Sequence, residues 1–291
     1  MRFHPEVAQA LAENKPVVAL ESTVITHGLP RPMNLQLAQT LEQTVRTQRA
    51  VPATIALLKG EVVVGLSAEE LEAVAADASA DKASLWNLGA IVAQRRSAGT
   101  TVAATSFLAV KAGIQVFATG GIGGVHPQPF DESADLIELS RTPILVVSAG
   151  PKSILDLAAT VERLESFGVA LLGFRTDRLP AFHSPGSPYA LPARVESAQE
   201  AAAAFQAARE LGLPGATLVL NPVSQGLDFK VVGQWVEQAT QEAARAGVQG
   251  KSLTPFLLRR LSELSGGQTD AVNLRLLEEN TRLAAQIAAA L

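Results

Sequence analysis

The sequence predicts an α/β fold of three layers, in which helices cover both faces of a mostly parallel central sheet. Short apolar runs alternate along the chain with longer segments that have the helical spacing of apolar residues. Most of the short runs are apolar throughout, which is typical of parallel strands buried on both faces. No internal repeat or low-complexity linker divides the 291 residues, so we expect a single domain over residues 1–291.

Strands are predicted where apolar runs end at glycine, proline or polar residues. The first follows Pro16, which blocks continuation of the helix before it. The turn Lys59-Gly60 joins the second and third. In chain order the predicted strands cover residues 17–20, 52–58, 61–65, 114–118, 142–148, 168–174 and 216–220.

Helices are predicted where apolar residues recur every three or four positions. Ser67 and Glu70 form a capping box before one of them, and Pro255 suits the first turn of another. The segment 179–192 is rich in Pro, Ser and Gly, which predicts an ordered loop or flap. The predicted helices cover residues 5–13, 33–48, 68–78, 100–112, 133–140, 153–167, 195–211, 228–246, a segment from 254 onwards, and 270–289.

Composition restricts the class of protein. A net charge of −4 gives no basic footprint for nucleic acid, and the absence of cysteine excludes disulfides and zinc–sulfur sites. No apolar run reaches the roughly 20 residues of a membrane helix, and the N-terminus lacks a basic-then-apolar signal region. We therefore expect a cytoplasmic enzyme with a small-molecule substrate, and no nucleic-acid or membrane partner.

A glycine-rich turn follows the predicted strand 114–118. The segment 119–135 reads TGGIGGVHPQPFDESAD, with four glycines in five residues. Glycines permit positive φ and let a ligand approach the main-chain N–H groups. The alternative is a tight, flexible connection, but the histidine and aspartates that follow favour a binding site.

Polar residues follow several predicted strands at the point where each strand ends. Glu21, Thr119, the segment 148–153 and Asn221 all have this position. Ligands of open α/β sheets bind outside the carboxyl ends of parallel strands. The sequence therefore predicts that these distant parts of the chain meet at one edge of the sheet.

Lys152 is a candidate nucleophile. It follows a strand and precedes a predicted helix, and both partial desolvation and nearby helix N–H groups would lower its pKa and free the amine. A neutral lysine can attack a carbonyl or a sugar C1 and can form a Schiff base. The alternatives are a surface lysine and a phosphate ligand.

Glu21 is a candidate general acid or base. It ends an apolar run, and partial burial would raise its pKa towards the range useful for proton transfer. The alternative is a carboxylate that caps a turn or pairs with an arginine.

Asp131 and Asp135 suit a hard cation such as Mg²⁺ or Mn²⁺. The alternative is capping of the helix predicted after Ser133, where acidic and hydroxyl side chains are expected in any case. The two roles are compatible.

Three nucleotide-binding motifs are incomplete. The glycine turn has His126 where a dinucleotide fingerprint needs its third glycine. Pro151 interrupts one possible phosphate loop, and Arg245 replaces the first glycine of another that would end at residues 250–252. These departures disfavour a nucleotide cofactor.

Long blocks in a fixed order span nearly the whole chain: ALESTVITHGLPRPMN (19–34), AVPATIALLKG (50–60), TTVAAT (100–105), VFATGGIGGVH (116–126), FDESADL (130–136), SAGPKSILDLAATVERLESFGV (148–169), NPV (221–223) and GKSLTPFLLRRLSELSGG (250–267). Together they resemble the pseudouridine-5′-phosphate glycosidase family, also called indigoidine synthase A-like. The resemblance implies cleavage of the C–C glycosidic bond of pseudouridine 5′-phosphate to uracil and ribose 5-phosphate.

The resemblance also implies roles for individual residues. Lys152 matches the lysine that attacks C1 of the ribose, Glu21 matches the acid/base, and Asp131 matches a ligand of a divalent metal, typically Mn²⁺. It further implies a homotrimer. The implied substrate-binding residues are Lys82, Val102, Thr119, His126, Ser133, Ala134, Asp135 and Asn273.

The implied chemistry accounts for the residue types. A C-glycosidic bond has no heteroatom leaving group, so two carboxylates alone are insufficient, whereas an imine at C1 supplies an electron sink for C–C cleavage. One alternative is a Schiff-base lyase or aldolase that acts on another sugar phosphate. Another is a non-catalytic relative in a pigment pathway, which the joint presence of Glu21, Lys82, Asp131 and Lys152 disfavours.

Overall fold

The predicted α/β fold is confirmed by a computed structural model that describes residues 1–128, 131–248 and 253–291. Within these residues a single sheet contains eleven strands. They are β1 (Arg2–Phe3), β2 (Val17–Leu20), β3 (Val51–Leu58), β4 (Glu61–Val64), β5 (Asp81–Ala83), β6 (Ala98–Thr100), β7 (Val116–Ala118), β8 (Leu145–Ser148), β9 (Ala170–Phe174), β10 (Ala193–Val195) and β11 (Thr217–Leu220).

The centre of the sheet is parallel. Its strands run in the order β3-β2-β7-β8-β11-β9-β10, and every neighbouring pair in this series is parallel. Only at the β3 end does the direction change, where β4 and β6 both pair antiparallel with β3. The carboxyl ends of the central strands therefore lie along one edge.

Helices occupy most of the connections between strands, except those from β3 to β4 and from β9 to β10. A π-helical turn, Val24–Gly28, follows β2. The α-helices in the described residues are α1 (Pro5–Ala12), α2 (Met33–Thr47), α3 (Ala68–Ala76), α4 (Leu85–Ala93), α5 (Val102–Lys111), α6 (Ala134–Leu139), α7 (Leu157–Ser166), α8 (Ala198–Glu210), α9 (Phe229–Arg245), α10 (Leu253–Leu264) and α11 (Gln268–Ala288).

Two hydrophobic cores lie on opposite faces of the sheet. Alternate residues of β2 divide between them: Val17 and Ala19 pack with α1, α5, α6 and α7, whereas Val18 and Leu20 pack with α2, α8 and α11. Successive side chains of a strand point to opposite faces, so the continuously apolar strands supply both cores. The predicted three-layer arrangement follows directly from this division.

Four short strands and one helix are absent from the sequence prediction. Strands β1, β5, β6 and β10 have two or three residues each, which is too few to give a periodic signal. Helix α4 contains Asn87 and Gly89 and was likewise not predicted. Residues 250–252, named above for their incomplete motif, lie outside the described residues.

No helix in the described part of the chain is both long and apolar enough to cross a membrane.

Candidate active site

Four strands deliver polar residues to one edge of the sheet, as predicted. Leu20 is in register with Ala118, Ala118 with Val147, and Ser148 with Leu220. Because these strands are parallel neighbours, the residues that follow their carboxyl ends lie side by side. These residues are Glu21, Thr119, Asn221 and the segment that leads to Lys152. The edge carries acidic, basic and hydroxyl groups.

Glu21 and Thr119 are in direct contact. The hydroxyl group of Thr119, a buried residue, donates a hydrogen bond to Glu21 Oε1. Burial is the largest influence on the Glu21 carboxyl group and raises its pKa, while the Lys152 charge and the Thr119 hydrogen bond act in the opposite direction. The net effect is a raised pKa, which favours proton transfer over permanent ionisation.

Lys82 and Lys152 extend towards the same space. Burial is the largest influence on the Lys82 ammonium group and lowers its pKa, and repulsion from Lys152 lowers it further, although Lys82 keeps an exposed surface. Glu21 and Asp135 attract Lys82. The site therefore combines two lysines and two carboxyl groups that act on one another electrostatically.

The contacts of Gly99 explain how Lys82 reaches Glu21. Lys82 in β5 is in register with Gly99 in β6. A Cβ atom added at Gly99 would lie 2.9 Å from the carbonyl oxygen of Ser22, next to Glu21 in the chain. A glycine at this position lets β6, and with it β5, approach the Glu21 segment closely.

The sequence prediction of a helix directly after Lys152 is wrong. Helix α7 begins at Leu157 with Asp156 as its N-cap, and Lys152 lies in the turn before it. The backbone N–H of Lys152 donates to the carbonyl of Ile122 (3.1 Å), and its carbonyl accepts from Leu155 (3.0 Å). Lys152 is thus held against the glycine turn and does not lie at a helix N-terminus.

The predicted flap packs under the Lys152 turn. Its Phe182 N–H donates to the carbonyl of Ala149 (2.9 Å). His183, which is buried, has its Nδ1 2.9 Å from Ser153 Oγ, next to Lys152. Burial lowers the pKa of His183 to about 4. The flap is therefore an ordered support of the segment that carries Lys152.

Asp135 connects two walls of the site. One oxygen of its carboxylate accepts from the Ala103 N–H (3.0 Å) and the other from the Gly123 N–H (2.8 Å). Val102 is the first residue of α5, so the carboxylate also lies near the positive end of that helix. Ser133 caps α6 by accepting from the Asp135 N–H (3.2 Å), and Ala134 begins that helix.

His126 and Asp131 face each other beyond the glycine turn. The backbone N–H of His126 donates to the carbonyl of Asp131 (2.9 Å), and the two side chains interact electrostatically. Burial is the largest influence on His126 and lowers its pKa. Its Nδ1 is buried and has no hydrogen-bond partner in the described part of the chain.

Close packing, and not positive φ, explains the glycine turn. Of its four glycines, none has positive φ. A Cβ at Gly121 would lie 2.5 Å from the Phe182 ring, and one at Gly123 would lie 2.2 Å from Ser133 Oγ. At Gly124 it would meet the side chain of Thr160 at 2.4 Å. The site walls thus pack directly against this backbone, and the prediction of positive φ is wrong.

Helix α11 carries two asparagines that are seven residues apart. Asn273, predicted from the resemblance, is partly exposed. Asn280 was not predicted, although it is fully buried and donates to the carbonyl groups of Thr119 (2.9 Å) and Gly120 (3.3 Å). Its signal in the sequence is an asparagine on an apolar helix face, between Leu277 and Leu283.

An open groove of about 600 Å³ lies elsewhere, between α2 and α11. Polar side chains line it, and none of the predicted site residues belongs to it. The chemistry-bearing groups are concentrated at the carboxyl edge of the sheet.

Comparison with known proteins places this geometry in a family. The family model described as "Indigoidine synthase A like protein" matches residues 6–290. A protein named pseudouridine-5′-phosphate glycosidase from Thermus thermophilus is 66% identical over 95% of this chain and 98% of its own length. One of the same name from Petrotoga mobilis is 48% identical over 99% of this chain and 96% of its own.

A solved structure has the same fold. The prealnumycin C-glycosynthase AlnA, crystallised in complex with ribulose 5-phosphate, superposes with a TM-score of 0.92 at 37% identity, covering 99% of this chain and 96% of its own. The chain belongs to the indigoidine synthase A-like family.

Proposed function

We propose that this protein cleaves the C–C glycosidic bond of pseudouridine 5′-phosphate, in a reversible reaction that gives uracil and ribose 5-phosphate. The observation that carries the proposal is the meeting of Lys152, Lys82 and the raised-pKa Glu21 at one sheet edge. The names of the relatives from Thermus thermophilus and Petrotoga mobilis give the same reaction. A sugar phosphate also occupies the solved relative AlnA.

In the proposed mechanism the Lys152 amine attacks C1′ of the ribose. The C1′–O4′ bond breaks, the ring opens, and O4′ receives a proton. Glu21 transfers this proton to O4′ and then delivers one to C5 of uracil. The C1′–C5 bond then breaks, and its electrons restore the C5–C6 double bond. The nitrogen lone pair of Lys152 forms an imine at C1′, and water hydrolyses it to release ribose 5-phosphate and the free lysine.

The remaining residues bind and orient the substrate. Lys82 supplies positive charge for the phosphate, and Val102 begins α5, whose N-terminal N–H groups suit an anion. His126 and Asn273 contribute polar contacts, and Thr119, whose hydroxyl group donates to Glu21, orients that carboxyl group towards the substrate. Ser133, Ala134 and Asp135 form one wall, in which Asp135 fixes the backbone of Ala103 and Gly123.

We also propose a divalent cation, Mn²⁺ or Mg²⁺, at Asp131. The described residues contain no cluster of three or more His, Asp or Glu side chains suited to a metal. The unpartnered Nδ1 of His126 beside Asp131 fits a site of few protein ligands, since such cations are commonly completed by water and substrate phosphate. Both Asp135 oxygens already accept hydrogen bonds, which favours Asp131 as the ligand. The cation would neutralise phosphate charge.

Uracil release from pseudouridine 5′-phosphate in the presence of Mn²⁺ tests the proposed function. We expect release that stops on chelation and returns with Mn²⁺, and a Lys152→Ala variant that folds normally but loses about 10³-fold or more of kcat. Lys152→Arg keeps the charge without a nucleophilic amine and should be equally inactive. A folded wild-type protein that releases no uracil contradicts the proposal.

A second candidate is a Schiff-base lyase or aldolase with the same Lys152. The AlnA complex with ribulose 5-phosphate favours testing it, because that relative is named a C-glycosynthase. Turnover of other sugar phosphates without any release of uracil would select this function.

The homotrimer is a further proposal, and light scattering should give three times the mass of one chain.

A further inference from the structure

A buried chain of hydrogen bonds links α11 to the carboxyl group of Glu21. Asn221, which follows β11, donates from Nδ2 to Asn280 Oδ1 (3.0 Å). Asn280 donates from Nδ2 to the carbonyl of Thr119 (2.9 Å), and the Thr119 hydroxyl donates to Glu21. Four residues from the first, middle and last parts of the sequence are thus joined in one series.

The middle of this series is fully enclosed. Asn280 is 0% exposed and Thr119 is 1% exposed. Among the described residues, the Asn280 amide hydrogen-bonds only groups at the carboxyl edge of the sheet, and its second Nδ2 contact is the carbonyl of Gly120 (3.3 Å). A buried amide without such partners would cost about 1–3 kcal/mol, so these contacts fix its orientation.

A hydrogen bond to β8 holds the Thr119 backbone at its N–H group. Its N–H donates to the carbonyl of Val147 in β8 (3.0 Å). The backbone of Thr119 is therefore held by the sheet at its N–H and by Asn280 at its carbonyl. A β-branched side chain has restricted χ1, so the direction of the Thr119 hydroxyl follows the orientation of this backbone.

We infer that Asn280 is a positioning residue for the acid/base group, which acts by orienting Thr119 so that its hydroxyl hydrogen-bonds Glu21, and that Asn221 sets the orientation of the Asn280 amide. The inference rests on the proposed function for the role of Glu21. The hydrogen-bonded series itself does not depend on the substrate.

The consequence for Glu21 has a definite sign. The hydrogen bond from Thr119 lowers the pKa of Glu21 against the larger effect of burial. Loss of that bond leaves burial less opposed, so the pKa of Glu21 rises further. Asn280→Ala should therefore move the titration of Glu21 to higher pH, in the same direction as Thr119→Val.

The first test is a direct titration of the Glu21 carboxyl group by ¹³C NMR, assigned with Glu21→Gln. We expect a shift to higher pH in Thr119→Val, Asn280→Ala and, to a smaller extent, Asn221→Ala, which keeps both donors of Asn280 and perturbs the fold least. Thr142→Val is the matched control, because it removes another buried hydroxyl donor, to Glu138 (2.6 Å), before the start of β8. It should leave the titration of Glu21 unchanged.

A double-mutant cycle on uracil release tests the same link in turnover. Asn280→Ala should lower kcat about tenfold in the wild-type background, but less than about threefold in the Thr119→Val background, because the two residues act in series. The limb of the pH–rate profile that reports Glu21 should move to higher pH in both single variants. Equal losses in the two backgrounds would overturn the inference.

The two failures are distinguishable. An unchanged Glu21 titration in Asn280→Ala and Asn221→Ala overturns the positioning role, whatever the turnover assay gives. A wild-type protein that releases no uracil overturns the proposed function, whereas the NMR titration still decides whether Asn280 controls Glu21.

Discussion

At the scale of single residues, the titratable groups of Glu21 and His183 differ in their surroundings. Glu21 lies among charged and polar groups that partly compensate its burial. In the described part of the chain the imidazole of His183 has one hydrogen bond, to Ser153, and burial alone shifts its pKa, to about 4. Glu21 is therefore suited to exchange protons, whereas His183 is suited to remain neutral and to support the turn that carries Lys152.

The neutral state of His183 predicts acid sensitivity. The His183 imidazole is protonated below about pH 6.5 in the unfolded chain but only below about pH 4 in the folded chain. The unfolded state therefore binds more protons between these values. This residue alone should lower the free energy of unfolding by about 3 kcal/mol as the pH falls across that range. Urea denaturation at several pH values measures the effect.

His183→Asn is the control for this prediction, because its amide can still hydrogen-bond Ser153 but does not titrate. Between pH 4 and 6.5 the free energy of unfolding of this variant should change less with pH, by the slope that corresponds to about one bound proton. An equal slope in the variant and the wild type would rule out His183 as the source.

Residue positions were predictable where local sequence determines them. Glu21 and Thr119 directly follow apolar runs, so their place at strand ends could be predicted. Asn280 could not be assigned to the site, because its partners Thr119 and Asn221 lie 161 and 59 positions away in the chain. The pairing of His183 with Ser153 is non-local in the same way.

At the scale of elements, the glycine turn and the Lys152 turn behave as a pair. Ile122 donates to the carbonyl of Gly150 (3.2 Å), and Lys152 donates back to Ile122. The ring of Phe182, in the flap, packs against Gly121. The sequence indicates that both turns lie at strand ends, but their hydrogen bonds and the flap beneath them depend on tertiary packing.

Gly121→Ala tests this pairing. The added methyl group would lie 2.8 Å from the Gly150 carbonyl and 2.5 Å from the Phe182 ring, so it must push the two turns apart. We expect a loss of about 1–3 kcal/mol of stability together with a large loss of kcat, because Lys152 is displaced. Thermal denaturation and uracil release measure the two effects.

Gly89→Ala is the matched control. Gly89 lies within α4, and an added Cβ meets no atom within 4 Å. Replacing a glycine inside a helix by alanine should raise stability by about 0.5–1 kcal/mol and leave kcat unchanged. If Gly121→Ala retained wild-type kcat, the coupling of the two turns would be disproved.

At the scale of the whole molecule, the parallel sheet is what assembles the site. Residues from the first 25 and the last 25 positions of the chain meet because β2, β7, β8 and β11 are neighbours and α11 covers them. The alternation of apolar runs and helices predicted this architecture and the shared edge. It could not predict strand order or the short strands β5 and β6 that carry Lys82 to Glu21.

The proposed mechanism requires a covalent bond between Lys152 and the sugar. Incubation with pseudouridine 5′-phosphate and borohydride should reduce the imine and leave a ribose phosphate adduct, which peptide mass spectrometry locates on Lys152 and which is absent from Lys152→Arg. If uracil forms while no modified Lys152 peptide is found, the covalent mechanism is contradicted.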